Sequence, residues 1–180
     1  MDPLFAPWRI EWVSREPEST NTSCPFCSIP AESTDRENLV VARSEHTYVL
    51  LNNYPYNPGH AMVIPYRHVI SLDELTDAEL LDRARMTQRC VRAFSTMMQP
   101  DGFNTGANLG RAGGGSIDHL HTHVVPRWVG DTNFMAVIDD TKVIVQALED
   151  TWEGLHSAFA SQDGTTVDAA DKAVRIEKTD

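Results

Sequence analysis

The chain has 180 residues, with 15 Lys+Arg against 26 Asp+Glu and a formal net charge of −11. That length suits one domain with a sizeable core, and the acidic balance excludes the broad basic surface that a nucleic-acid polymer or an anionic membrane requires. No apolar run is long enough to span a bilayer, and the start, MDPLFAPWRIEWVSRE, lacks the basic and then apolar pattern of a secretory signal.

Residues 1–36 read as an N-terminal segment, acidic and aromatic at its start and rich in Ser, Thr, Glu, Asp and Pro from residue 14, that holds Cys24-Pro-Phe-Cys27. With Cys90 the chain has three cysteines, too few for a disulfide scaffold and suited to a reducing cytoplasm. A CxxC alone fits either a redox pair or half of a zinc site. Leu39–Ala42 and Tyr48–Leu51 are short β-rich runs, and the turn cluster from Asn52 to Gly59 leads into a third strand, His60–Pro65. Ser71-Leu-Asp-Glu74 and Thr76-Asp-Ala-Glu79 both match a capping box. Leu80, Ala84, Val91, Phe94 and Met98 then recur at helical spacing, so a helix is predicted over about 76–98.

A strand is predicted from Phe103 to Asn108, then a glycine loop, Gly113-Gly114-Gly115-Ser116, then a strand from Ile117 to Val125. A helix is predicted over 141–160 and a polar, frayed tail over 161–180. The order of elements indicates a single α+β domain, with 37–160 as its body.

His119-Leu-His121-Thr-His123 carries the most chemistry. Alternate residues of a strand share a face, so the three imidazoles point one way. Each ring has two polar nitrogens that need partners, which makes such a triplet a poor core. Two active readings compete with a merely exposed strand. The three could ligate one metal, or one could attack phosphorus while the others hold phosphate oxygens. The glycine loop favours the second, because free backbone amides suit an anion.

The His-φ-His-φ-His-φ-φ pattern, with Thr122 at one normally apolar position, resembles the histidine triad family of nucleotide hydrolases and transferases. Asn52, the Pro58-Gly59-His60 turn, Asn108 and Pro126-Arg127 extend the likeness over roughly residues 37–135. Trp128 and Gly130-Asp-Thr-Asn-Phe-Met135 resemble the branch of diadenosine tetraphosphate phosphorylases or hydrolases.

The resemblance implies an antiparallel sheet of about five strands, one main and one C-terminal helix, and a twofold homodimer. It implies cleavage of the α-phosphate bond of a dinucleoside polyphosphate through a nucleotidyl-histidine. His121 would be the nucleophile, His60 its support and His123 the ligand of phosphate oxygens. Asn108 and Ser116 would place the α-phosphate and bridging oxygen, and Asn52 the ribose. Many members carry glutamine where this chain has Gly115; losing that side chain leaves room for a second anion such as inorganic phosphate. Members also carry zinc on two cysteines and two histidines, a pattern that Cys24, Cys27, His68 and His119 match as a structural site. The alternatives are a nucleoside phosphoramidase of the same family and a nucleotide-binding protein without turnover.

Overall fold

The computed structural model describes residues 24–131 and 147–177. The first 23 residues, the Thr132–Met135 stretch and the predicted helical start at 141–146 lie outside the described residues.

A short helix α1 (Pro25–Ser28) is followed by strands β1 (Val40–Arg43), β2 (Thr47–Leu51) and β3 (Ala61–Pro65). Helix α2 (Asp77–Met98) precedes β4 (Gly102–Gly106) and β5 (Thr122–Arg127). Helix α3 (Leu148–Ala160) leads to β6 (Thr165–Thr166) and β7 (Val174–Ile176). One mixed sheet has the order β4-β5-β3-β2-β1-β7-β6.

The sheet therefore has seven strands rather than five. The antiparallel unit β4-β5-β3-β2-β1 is the expected part. The other two strands come from the stretch expected as a frayed tail: β7 pairs parallel with β1, and β6 closes back on β7. Asp35 anchors this extension, its carboxylate accepting from the Ala173 amide at 2.9 Å while pairing with Arg43.

Period-two alternation sorts the strands into two faces. Val49, Leu51, Ala61, Val63 and Val124 pack under α2 and α3 with Met86, Phe94, Trp152 and Phe159. The buried Trp152 indole donates to the Val40 carbonyl at 3.0 Å, docking α3 onto β1. The opposite face carries Tyr48, Leu50, Met62 and Ile64, covered by Phe26 of α1. His123 lies opposite Met62 in the β3–β5 register, so it belongs to this second face.

Of the two capping boxes, the second forms. Thr76 Oγ1 accepts from the Glu79 amide at 3.3 Å, and the Glu79 carboxylate accepts from the Thr76 amide at 2.8 Å. The first opens only a 3-10 turn over Leu72–Glu74, because the Ser71 hydroxyl bonds Asp73 instead of capping. Among the described residues no helix is long and apolar enough to cross a membrane.

Candidate active site and metal cluster

The histidine stretch does not behave as one continuous strand. Strand β5 begins only at Thr122, and Ile117–His119 bend, with the His119 amide bonding the Ile117 carbonyl at 2.8 Å. The three imidazoles therefore divide between two places, so the reading of three histidines on one metal does not hold.

His119 turns away to a cluster of sulfurs. Its Nε2–H donates to the Pro65 carbonyl at 2.9 Å, leaving the Nδ1 lone pair for Cys24 Sγ at 3.3 Å and Cys27 Sγ at 3.5 Å. His68 Nδ1 lies 3.4 Å from Cys27 Sγ. All four ligand atoms lie within 4.8 Å of one another. A tetrahedral zinc with ordinary bond lengths sets S···N edges of about 3.6 Å, close to these separations. The carbonyl on the far nitrogen of His119 is the usual second contact of a ligating imidazole. The donor set fits a closed four-ligand metal site. Cys24 caps α1 and accepts from the Cys27 amide at 2.9 Å, so one turn presents both thiols. Burial, with Cys24 alongside, raises the Cys27 pKa, a penalty that a bound cation reverses.

His121 is arranged the other way. Its Nδ1–H donates to the His119 carbonyl at 2.8 Å, so its Nε2 carries the lone pair. Burial lowers its pKa, which favours the neutral, nucleophilic form. The Phe26 ring meets it edge-on with centroids 5.2 Å apart, and His123 lies at 4.8 Å.

His123 and His60 form a relay. The Tyr56 backbone N–H points at His60 Nδ1 at 3.0 Å, and that donor cannot be reversed. His60 therefore bears its proton on Nε2, which donates to His123 Nδ1 at 2.9 Å. His123 must then bear its own proton on Nε2, giving a donor suited to phosphate oxygen. Asn52 Nδ2 lies 3.3 Å from the same His60 nitrogen, and its Oδ1 accepts from the Tyr54 amide at 2.9 Å. The Tyr56 ring lies against both imidazoles, 4.4 Å from His60 and 5.6 Å from His123.

The glycine loop lies at the same end of the sheet. Gly106 pairs with His123, and the chain continues through Asn108 before returning as His119. Its amides are not free for an anion as expected. Those of Gly113 and Gly115 donate to the Gly110 carbonyl and that of Gly114 to Arg111, closing a tight 3-10 turn. The turn packs closely on Gly115: a Cβ there would sit 3.0 Å from the Gly110 carbonyl oxygen and 3.2 Å from that of Asn108, so a larger residue needs a shift of a few tenths of an ångström in the loop. Ser116 is exposed just beyond the turn, and the Asn108 amide lies against Gly114.

Sequence reasoning missed Phe26 and Tyr56. Phe26 sat in plain view inside the CxxC. Tyr56 acts on His60 Nδ1 through a backbone amide, which no side-chain pattern announces.

The family model for the HIT domain matches residues 33–129. A Mycobacterium tuberculosis protein named AP-4-A phosphorylase is 46% identical over 166 residues, covering 88% of this chain and 85% of its own. A Saccharomyces cerevisiae bis(5'-adenosyl)-triphosphatase is 36% identical over 97 residues, 51% of this chain and 47% of its own. A zinc-bound histidine triad family protein from Mycobacterium smegmatis superposes with a TM-score of 0.63 at 27% identity, over 77% of this chain and 94% of its own.

Proposed function

Because the chain belongs to the histidine triad (HIT) domain family, we propose that it cleaves the α-phosphate bond of dinucleoside polyphosphates, diadenosine tetraphosphate first among them. The observation that carries this reading is the pairing of two fixed tautomers: an Nε2 lone pair on His121 beside an Nε2–H donor on His123. That pair suits attack on phosphorus and stabilisation of its oxygens. The 46% identity to a protein named AP-4-A phosphorylase supports the substrate class.

In the first step His121 Nε2 bonds the α-phosphorus, and the bond from phosphorus to the bridging oxygen breaks. The departing nucleoside polyphosphate leaves as ATP when the substrate is diadenosine tetraphosphate. His123 donates to a non-bridging oxygen, and Asn108 and Ser116 orient the phosphate. Asn52 holds the ribose. In the second step phosphate or water attacks the same phosphorus and breaks its bond to His121, giving ADP or AMP.

Zinc on Cys24, Cys27, His68 and His119 fits the donor set. When bound it supplies a fixed tetrahedral tie, not a reacting group. The chain's own residues do the positioning: His119 holds the proton acceptor of His121 on its carbonyl. A twofold pairing of chains through β4 belongs to the same reading: among the described residues β4 is an edge of the five-stranded antiparallel unit.

The deciding experiment is product identity from diadenosine tetraphosphate with and without inorganic phosphate. ADP plus ATP, dependent on phosphate, is expected. AMP plus ATP regardless of phosphate would make the enzyme a hydrolase. No turnover, or a preference for an AMP–amine bond, would overturn the reading.

A further inference from the structure

The relay depends on where the turn before β3 holds His60, and that turn is fastened from outside the matched domain. Asn57 is buried. Its Nδ2 donates both protons, to the Pro126 carbonyl at 3.0 Å and to Asp131 Oδ2 at 2.6 Å. Its backbone carbonyl accepts from the His60 amide at 3.1 Å. Beneath the turn Gly59 has φ +78°, and a Cβ there would meet Met98, Phe94 and Pro126 within 3.2 Å. The turn is therefore packed below and latched at its side.

Asp131 is the latch. Its carboxylate accepts four bonds: Asn57, Arg127 Nε at 2.6 Å, Arg127 Nη2 at 2.8 Å and the Trp128 amide at 3.2 Å. Arg127 foremost, with Asn57 and the Trp128 amide, holds the carboxyl well below the ordinary range, so it is ionised. Four donors on two oxygens need a carboxylate. An asparagine would offer one oxygen and turn an NH₂ toward a donor.

We propose that Asp131 is a positioning residue of the reaction: it latches the Asn57–His60 turn to the end of β5 and so keeps His60 Nδ1 on the Tyr56 amide. The consequence is a single tautomer at His60 and, through it, the phosphate-facing N–H of His123. Asp131 lies two residues beyond the matched family domain. The proposal rests on the cleavage reaction above for its kinetic part, while its tautomer part stands on the chain alone.

The test uses the full chain with Asp131→Asn and Asn57→Ala. Each is expected to lower kcat on diadenosine tetraphosphate about 10-fold, with KM within about twofold, as for loss of an outer-shell orienting contact. In a His60→Asn background, Asp131→Asn is expected to cost less than about twofold, because the relay it serves is already gone. Imidazole ¹⁵N spectra give a readout independent of turnover: wild-type His60 shows a protonated Nε2 only, and both variants lose that single form. An equal cost in both backgrounds overturns the proposal, as does an unchanged His60 spectrum. Asn57→Ala leaves the Arg127 pair in place and carries the test should Asp131→Asn unfold. If the wild type shows no turnover, the cleavage reading falls, and the spectra alone decide the latch.

Discussion

His119 and His121 stand two residues apart, yet their rings face opposite chemistry. His119 gives its Nε2–H to a carbonyl and turns its Nδ1 lone pair to two sulfurs. His121 gives its Nδ1–H to a carbonyl and keeps the lone pair on Nε2. Which ring nitrogen meets the backbone decides which one keeps the lone pair: Nδ1 beside the sulfurs in His119, Nε2 in His121. The two roles are linked, since the carbonyl that fixes His121 belongs to His119.

The largest expected effect breaks the contrast at His121 Nε2, the nucleophile of the proposed reaction. His121→Asn keeps an N–H for the His119 carbonyl but offers no basic nitrogen. Turnover of diadenosine tetraphosphate should fall at least about 10⁴-fold, as for loss of a covalent nucleophile. Steady-state assay of purified variant settles it; more than about 1% residual activity would remove His121 from the nucleophile's role.

A smaller effect is expected from the ligand side. Protein purified without chelator should contain zinc near one per chain by elemental analysis. Cys27→Ser should lower that content and reduce kcat about 10- to 100-fold, the range for an outer contact that orients a reacting group. The loss would pass through His119 to His121. Zinc well below one per chain in the parent would sink the metal reading. Full activity in a zinc-free variant would uncouple the two histidines.

Much of the fold was legible in the sequence and less of this contrast, for physical reasons that differ by residue. Helix α2 announced itself through Thr76, Glu79 and a spaced apolar face. The individual strands followed from β-rich runs and turn residues, and their joining into one antiparallel five-stranded sheet from the family resemblance. Cys24 and Cys27 could be paired with His68 and His119 only through the family resemblance, because nothing local joins residues so far apart in the chain. The break in the triad was not legible, since alternation treats Ile117–Val125 as one strand and cannot see the turn at His119. Strands β6 and β7 are two and three residues long, too short for periodicity, and β7 forms by a non-local parallel pairing. The closed glycine loop was misread for a related reason: composition shows that amides are present, not what they already bond.

The smallest expected effect tests how the ligand side is held to the helix. Arg67, the neighbour of His68, forks onto Glu79 through Nε at 2.9 Å and Nη2 at 2.7 Å, and donates to the Glu74 carbonyl at 2.5 Å. Arg67 foremost, with the Thr76 amide, lowers the Glu79 pKa from 4.5 to about 2. A depressed carboxyl stabilises the fold above its unfolded value, and that contribution is lost as pH falls through the folded one. Glu79→Gln should therefore lower Tm by a constant amount above about pH 5, and the gap to wild type should close between about pH 4.5 and pH 2. Arg67 is half-exposed, which keeps the effect modest and makes it shrink with added salt. A Tm gap that persists unchanged to pH 2 would mean that Glu79 acts by its shape and its cap on Thr76, not by its charge. The loop bearing His68 would then be held by the Arg67 bond to the Glu74 carbonyl and by the Leu120 amide on the Val69 carbonyl, not by the Glu79 charge.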